Sequence, residues 1–320
     1  MSVPSATFDW GIKLSYLCEE TTSDFREVKM EKRRGILVVM LFAVICIIAV
    51  SATYIYTNPG RGRVADEEAI GVVVTILPQA DFVHNVAGDK VRVTVMVPPG
   101  ASPHTYEPTP DQLMEVSKAS IYLKVGSGVE FEQTWLDKII GVNPEIQVVN
   151  CSYGITKQGK DPHIWNSPNN AKIMVTNIRN GLVAFDPGND TFYAANRDKY
   201  LQELDTLDTY IHDRLDKNAT NRVFMIYHPA FGYFAKDYNL TQIAIEHKGK
   251  APTPKVIRDC IDNAWDYNLS YVYVAPQYAT EDAEAIAREI GGQTVFINPI
   301  PRDYIANMRN VTTSLAIELE

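Results

Sequence analysis

From Ile70 onward, short β-branched runs alternate with longer stretches of helical period. The runs IGVVVTIL (70–77), VRVTVMV (91–97), IYLKV (121–125) and IQVVN (146–150) predict strands in the first half. RVFMIY (222–227), YVYVA (271–275) and TVFIN (294–298) predict strands in the second. Between them, residues 111–119, 130–140, 256–267 and 281–290 carry helical patterns, the last stopped by Gly291-Gly292. This alternation predicts an α/β fold with mostly parallel sheets flanked by helices.

One stretch stands apart. Residues 190–217 contain neither glycine nor proline, and Leu201, Leu204, Leu207, Ile211 and Leu215 recur at three- or four-residue intervals. This predicts one long helix at the chain's midpoint, joining an N-terminal lobe (70–189) to a C-terminal lobe (218–320). At roughly 1.5 Å per residue it would run about 40 Å, enough to stiffen that junction.

Upstream, Gly35 to Tyr56 is uncharged and apolar, and Lys32, Arg33 and Arg34 precede it. A run of this length reaches the thickness of a hydrocarbon core, and the basic flank puts its N-terminal side in the cytoplasm. The expectation is an uncleaved single-pass anchor at 35–56 with the binding domain extracytoplasmic; a cleaved leader is the competing reading. Residues 1–34 read as a cytoplasmic tail, or as sequence ahead of a true start at Met30. Residues 57–69 form a polar Pro/Gly linker. Six Asn-X-Ser/Thr acceptors (Asn150, Asn189, Asn218, Asn239, Asn268, Asn310) all follow the apolar run, consistent with an external domain. Cys151 and Cys260 fall in different lobes and are expected as buried free thiols.

Composition narrows the partners. The 320 residues are 46% hydrophobic with a net charge of −9, so no basic stripe is present to hold nucleic acid. No Walker-type phosphate loop occurs either.

The candidate chemistry is imidazole. His104 (ASPHTYEPTP), His163 (DPHIWNSP) and His228 (IYHPAFGYF) each sit in a proline-punctuated loop. Neutral nitrogen donors suit zinc better than hard calcium or magnesium. His228 follows a predicted strand directly, at the end where open α/β sheets place ligands. His163 lies just before Ser167-Pro168, a helix start with a capping serine and proline in the first turn. His84 and His212 fall on predicted helices as solvated residues, and His247, beside Glu246, is placed at a cleft rim.

The phrases VVVTILPQADFVHNVAGDKVRVTVMVPPGASPHTYEPTP, DPHIW, YHPAFGYFAKDYNL and AEAIAREIGGQTVFINPI together resemble the zinc and manganese solute-binding receptors of ABC transporters, in order and across the chain from Ile70. The resemblance implies two α/β lobes with a metal held in the cleft between them, and makes His104, His163 and His228 three of its ligands. It puts the fourth, usually a carboxylate, at Asn298 in Ile297-Asn298-Pro299. An uncharged amide oxygen, or a water, would then fill that position, and the bound ion would keep its full +2 charge. Three imidazoles favour zinc as the transported ion over manganese, whose receptors in this family lean on two carboxylates. No histidine lies between His104 and His163, so no metal-collecting loop is expected. The implied function is metal capture by a monomeric receptor and delivery to a permease with a cytoplasmic ATPase. Two rivals are a three-histidine zinc hydrolase or lyase, with Glu107 or Glu246 as base, and a metal-binding surface adhesin.

Overall fold

In the computed structural model, the valine-rich strand Ile70–Val74 (β1) runs parallel to Val91–Val95 (β2) on one side and Ile121–Lys124 (β3) on the other. Gln147–Asn150 (β4) completes a four-stranded sheet of order β2-β1-β3-β4. A second sheet repeats that order as β6-β5-β7-β8, from Val223–Ile226 (β5), Thr241–Ala244 (β6), Tyr271–Val274 (β7) and Gln293–Phe296 (β8). Every pairing is parallel, so within each sheet all strands end on one edge. β5 is buried along its whole length, the reason its sequence reads VFMI with no polar position.

The structure describes residues 40–49, 69–216, 221–246, 250–278 and 280–319. The chain divides into Met1–Glu67 and Glu68–Glu320. Of the first unit, residues 40–49 are helical (α1), and the remainder of the apolar run 35–56 lies outside the described residues. Among the described residues, no helix is long and apolar enough to cross a membrane.

In the second unit the helices are Leu77–Ala87 (α2), Pro110–Lys118 (α3), Glu130–Val142 (α4), Pro168–Phe185 (α5), Asp190–Asp216 (α6), Gly232–Asp237 (α7), Pro254–Asp266 (α8), Glu281–Glu289 (α9) and Tyr304–Leu319 (α10). The long helix is α6, of 27 residues. Leu204, Leu207, Ile211 and Leu215 are buried along it with Tyr193 and Tyr200, while Leu201 is only partly covered. That face packs on α2 and α5, which flank the first sheet, and on α10, which follows the second. The helix is therefore fastened to elements from both halves of the sequence.

Several elements escaped the sequence reading, β6, α5 and α10 among them. β6 is four residues long and half exposed, too short for a period-2 signal. It starts after Asn239, whose φ of 53° turns the chain out of α7. α5 was legible only at its start, where Ser167 accepts from Asn170 N–H and Pro168 holds the first turn. α10 had no recognised start signal, yet its buried Met308, Val311 and Leu315 lie at helical spacing. Cys151 and Cys260 are both buried and free, as expected.

Candidate metal centre

Nearly every strand end contributes to one place. His104 follows β2, Glu130 follows β3, and Asp161 and His163 follow β4. His228 follows β5, Glu246 follows β6, Gln277 and Tyr278 follow β7, and Pro299 and Ile300 follow β8. Two parallel sheets whose strands end toward one region bring together side chains more than a hundred residues apart, where open α/β folds bind ligands.

Local structure fixes each loop. Past β2, Gln112 of α3 donates through Nε2 to the carbonyls of Val95 and Met96, tying the loop's far end to the strand. Thr109 caps α3 in the same turn. Inside the loop, Ser102 Oγ accepts from His104 N–H at 3.3 Å, and Phe131 N–H donates to the Pro103 carbonyl. The His163 loop is held by Asp161, whose Oδ1 accepts both the backbone N–H of His163 (2.9 Å) and its ring Nδ1–H (2.8 Å). Gly232 makes room for this carboxylate: a Cβ there would stand 2.5 Å from Asp161 Oδ2. His228 is placed directly by β5, and the Tyr227 carbonyl accepts from Glu246 N–H.

The three imidazoles meet by their Nε2 atoms. His104 and His228 are 3.1 Å apart at Nε2, and His228 and His163 are 3.2 Å apart. A tetrahedral ion roughly 2.0–2.1 Å from each nitrogen needs nitrogens about 3.3–3.4 Å apart, close to what these rings present. Each ring turns its Nδ1–H outward to a carboxylate: His104 to Glu130 (2.8 Å), His163 to Asp161 (2.8 Å) and His228 to Glu246 (2.5 Å). An ionised carboxylate can only accept, so each Nδ1 carries the proton and each Nε2 points its lone pair inward. Three lone pairs facing one another at this range repel unless a cation lies among them.

Electrostatics fit that reading. Burial holds His228 below the usual imidazole range, and neighbouring His163 and His104 act the same way, against the Glu246 hydrogen bond. His228 is thus kept neutral and able to ligate. The bond to His104 holds the Glu130 carboxyl below the usual carboxylate range. Sequence reasoning missed Glu130 and Asp161 entirely and weighed Glu246 only as a base, because nothing local marks a carboxylate as the partner of a distant ring.

The enclosed space is small. About 10 Å³ is bounded by Pro103, His104, His163, His228, Gln277, Tyr278, Pro299 and Ile300, on the scale of one water-sized sphere. The Tyr278 ring stacks on His228 at 4.5 Å, and its hydroxyl bonds Ser102 beside His104, so it covers one face of the centre.

Asn298, expected as fourth donor, is directed elsewhere. Its Oδ1 accepts from Ile300 N–H at 2.9 Å and from Gln277 Nε2 at 3.3 Å, which uses both lone pairs. It borders a separate groove with Pro276, Phe296 and Asn307. Of the other histidines, His84 is exposed on α2, His212 pairs with Asp216 on α6, and His247 lies outside the described residues.

Parallel-sheet halves closing on three inward nitrogens define a metal-binding α/β protein. Residues 72–317 match the family described as ZnuA, zinc-uptake complex component A, periplasmic, and the chain belongs to it. A crystal structure of ZnuA superposes with a TM-score of 0.76 at 38% identity, covering 79% of this chain and 100% of that one. The high-affinity zinc uptake system protein ZnuA of Bacillus subtilis is 28% identical over 257 residues, 73% of this chain and 79% of that protein. The manganese-binding lipoprotein MntA of Halalkalibacterium halodurans is 31% identical over 222 residues, 67% of this chain and 73% of its own.

Proposed function

We propose that this chain is the extracytoplasmic receptor of an ABC-type metal importer, capturing a divalent transition metal at His104, His163 and His228. The ion passes to a permease driven by a cytoplasmic ATPase. One observation carries the reading: three Nε2 atoms 3.1 and 3.2 Å apart along the chain of rings, each ring held by its own carboxylate. The relatives are named for metal uptake and metal binding, which supports cargo capture over catalysis.

Zinc is the cargo best matched by the donors, since three imidazoles are borderline-soft ligands and manganese prefers oxygen. The charge account also differs from that of the ligands alone. Glu130, Asp161 and Glu246 surround the rings, so a bound dication is offset from behind them even though no carboxylate touches it.

We take the functional unit to be a monomer of two lobes, 70–189 and 218–320, bridged by α6. The apolar run 35–56 serves as its membrane anchor. The apolar length of the run and the basic residues before it support that assignment.

A hydrolase is disfavoured by the same geometry. Glu107 is exposed and does not border the cavity, and Glu246 is occupied as acceptor for His228. The adhesin reading gains nothing from any residue of the centre. Calorimetric titration of the protein from residue 69 onward with zinc and manganese tests the proposal. One zinc per chain, bound more tightly than manganese and lost in His228→Ala, is the expected result. Equal, weak binding of both metals would overturn it.

A further inference from the structure

Resting on the three imidazoles as ligands of a cargo ion, one position of a tetrahedral site remains to be filled, and the polar atoms of the cavity wall identify its donor. The sequence alone can only put Asn298 there. Its hydrogen bonds say otherwise and point one residue further. The backbone N–H of Ile300 is a donor and nothing else, so the Asn298 side-chain atom facing it at 2.9 Å must be the amide oxygen. The Gln277 atom lying 3.3 Å from that same oxygen must then be the NH2 group. With Nε2 so assigned, the other end of the Gln277 amide is Oε1.

That oxygen is buried and, among the described residues, accepts no hydrogen bond. Gln277 lines the same small cavity as His104, His163 and His228. A buried carbonyl without a partner is costly, and native folds retain one where something else meets its lone pairs. The rest of the wall offers no donor to meet it. The three Nε2 atoms are lone pairs because their Nδ1 protons go to carboxylates, and the Tyr278 hydroxyl is engaged with Ser102. Pro103 and Pro299 have no N–H to give. Three inward nitrogen lone pairs, beside a wall residue whose buried amide oxygen has no partner among the described residues, ask for a cation in a space of one ion's size.

We propose that Gln277 supplies the fourth donor to the cation through Oε1, and that Asn298 is a positioning residue that turns the Gln277 amide toward it. An amide oxygen is an ordinary neutral ligand for a divalent ion. The site then becomes three nitrogens and one oxygen, with all ligands neutral and all balancing charge held behind them.

Zinc titration and the visible spectrum of the cobalt-loaded protein test this together. In Gln277→Ala, zinc affinity should fall at least about tenfold with stoichiometry kept at one per chain, and the cobalt absorption should change as a water replaces the amide. Asn298→Ala should match that loss, and the double variant should lose no more than either alone. Gln277→Glu keeps the shape and adds a charge, so it should bind at least about tenfold more tightly. Affinity of Gln277→Ala within about twofold of wild type, or an unchanged cobalt spectrum, overturns the assignment, as does weaker binding by Gln277→Glu. Failure of the receptor reading looks different: wild-type protein would take up no zinc, or His228→Ala would bind as well as wild type.

Discussion

His228 donates its Nδ1–H to Glu246 Oε2 at 2.5 Å, and both side chains are almost completely buried. The carboxylate comes from the end of β6 and the ring from the end of β5, adjacent parallel strands. Their pairing register sets the contact, and the contact sets the tautomer and the aim of Nε2. Replacing Glu246 with glutamine keeps the shape but removes the charge that makes Nδ1 the obligatory donor. Zinc affinity of Glu246→Gln should fall about 10–100-fold, with the fold intact by circular dichroism. An unchanged dissociation constant would show that the ring needs no such partner.

Acidification should release the metal. Several rings must be neutral to ligate, so zinc-induced stabilisation should shrink below about pH 6 and vanish near pH 5. His228 itself has a folded pKa depressed below its unfolded value, chiefly by burial. Its sign follows: its contribution to stability is present above about pH 6.5 and is lost as the pH falls, because the unfolded ring takes up a proton the folded ring resists. Melting curves from pH 8 to 5, with and without zinc, check both statements. The zinc-free difference between wild type and His228→Asn should shift against wild type as the pH drops. A zinc-induced rise in Tm that stays constant down to pH 5 would contradict the ligand assignment.

Gly232 acts at a distance from the metal. A methyl group there would press on Asp161 Oδ2 at 2.5 Å and displace the carboxylate that holds both the backbone and the ring of His163. Gly232→Ala should therefore weaken zinc binding about tenfold while changing Tm little, since the Asp161 side chain is partly exposed and can shift toward solvent. Titration alongside thermal melting separates this from general unfolding; a large Tm loss with normal affinity would place the glycine's role in folding instead.

The long helix should behave as a strut. Leu207 is fully buried on α6 within the apolar cluster that also takes in α10, so Leu207→Ala should cost about 2–5 kcal/mol in denaturant unfolding. A cost under about 1 kcal/mol would mean that this face is held only loosely.

A strut fastened to both halves also limits opening. Because α6 packs on α2, α5 and α10, zinc-free and zinc-bound protein should differ by a modest tilt and not a wide hinge. Small-angle scattering should give radii of gyration within a few tenths of an ångström; a change of 2 Å or more would refute the stiff-linker picture.

Much of the architecture was readable from local pattern. Of the eight described strands in the second unit, six fell within predicted runs and β8 overlapped its run from one residue earlier, and residues 190–217 anticipated α6 to within a residue of its described end. β6 was not readable, because four half-exposed residues carry no decisive period, and its place beside β5 depends on α7 folding back. The three histidines were legible for a different reason: each sits in a proline-marked loop that announces itself locally. Glu130, Asp161 and Glu246 look like any surface carboxylate in the sequence, and only the packing of α4, the 158–163 turn and β6 shows that each receives one ring's proton.

Hydrophobic periodicity, a local property of consecutive residues, thus dictated the parallel sheets and the long helix, and the proline-marked loops gave the centre its imidazole character. Which of the two amide oxygens is left without a partner was decided only by tertiary structure. The amides of Asn298 and Gln277 are chemically equivalent as letters in a chain. Their orientations differ because the Ile300 N–H, brought close by the turn after β8, claims one oxygen and leaves the other buried and unclaimed.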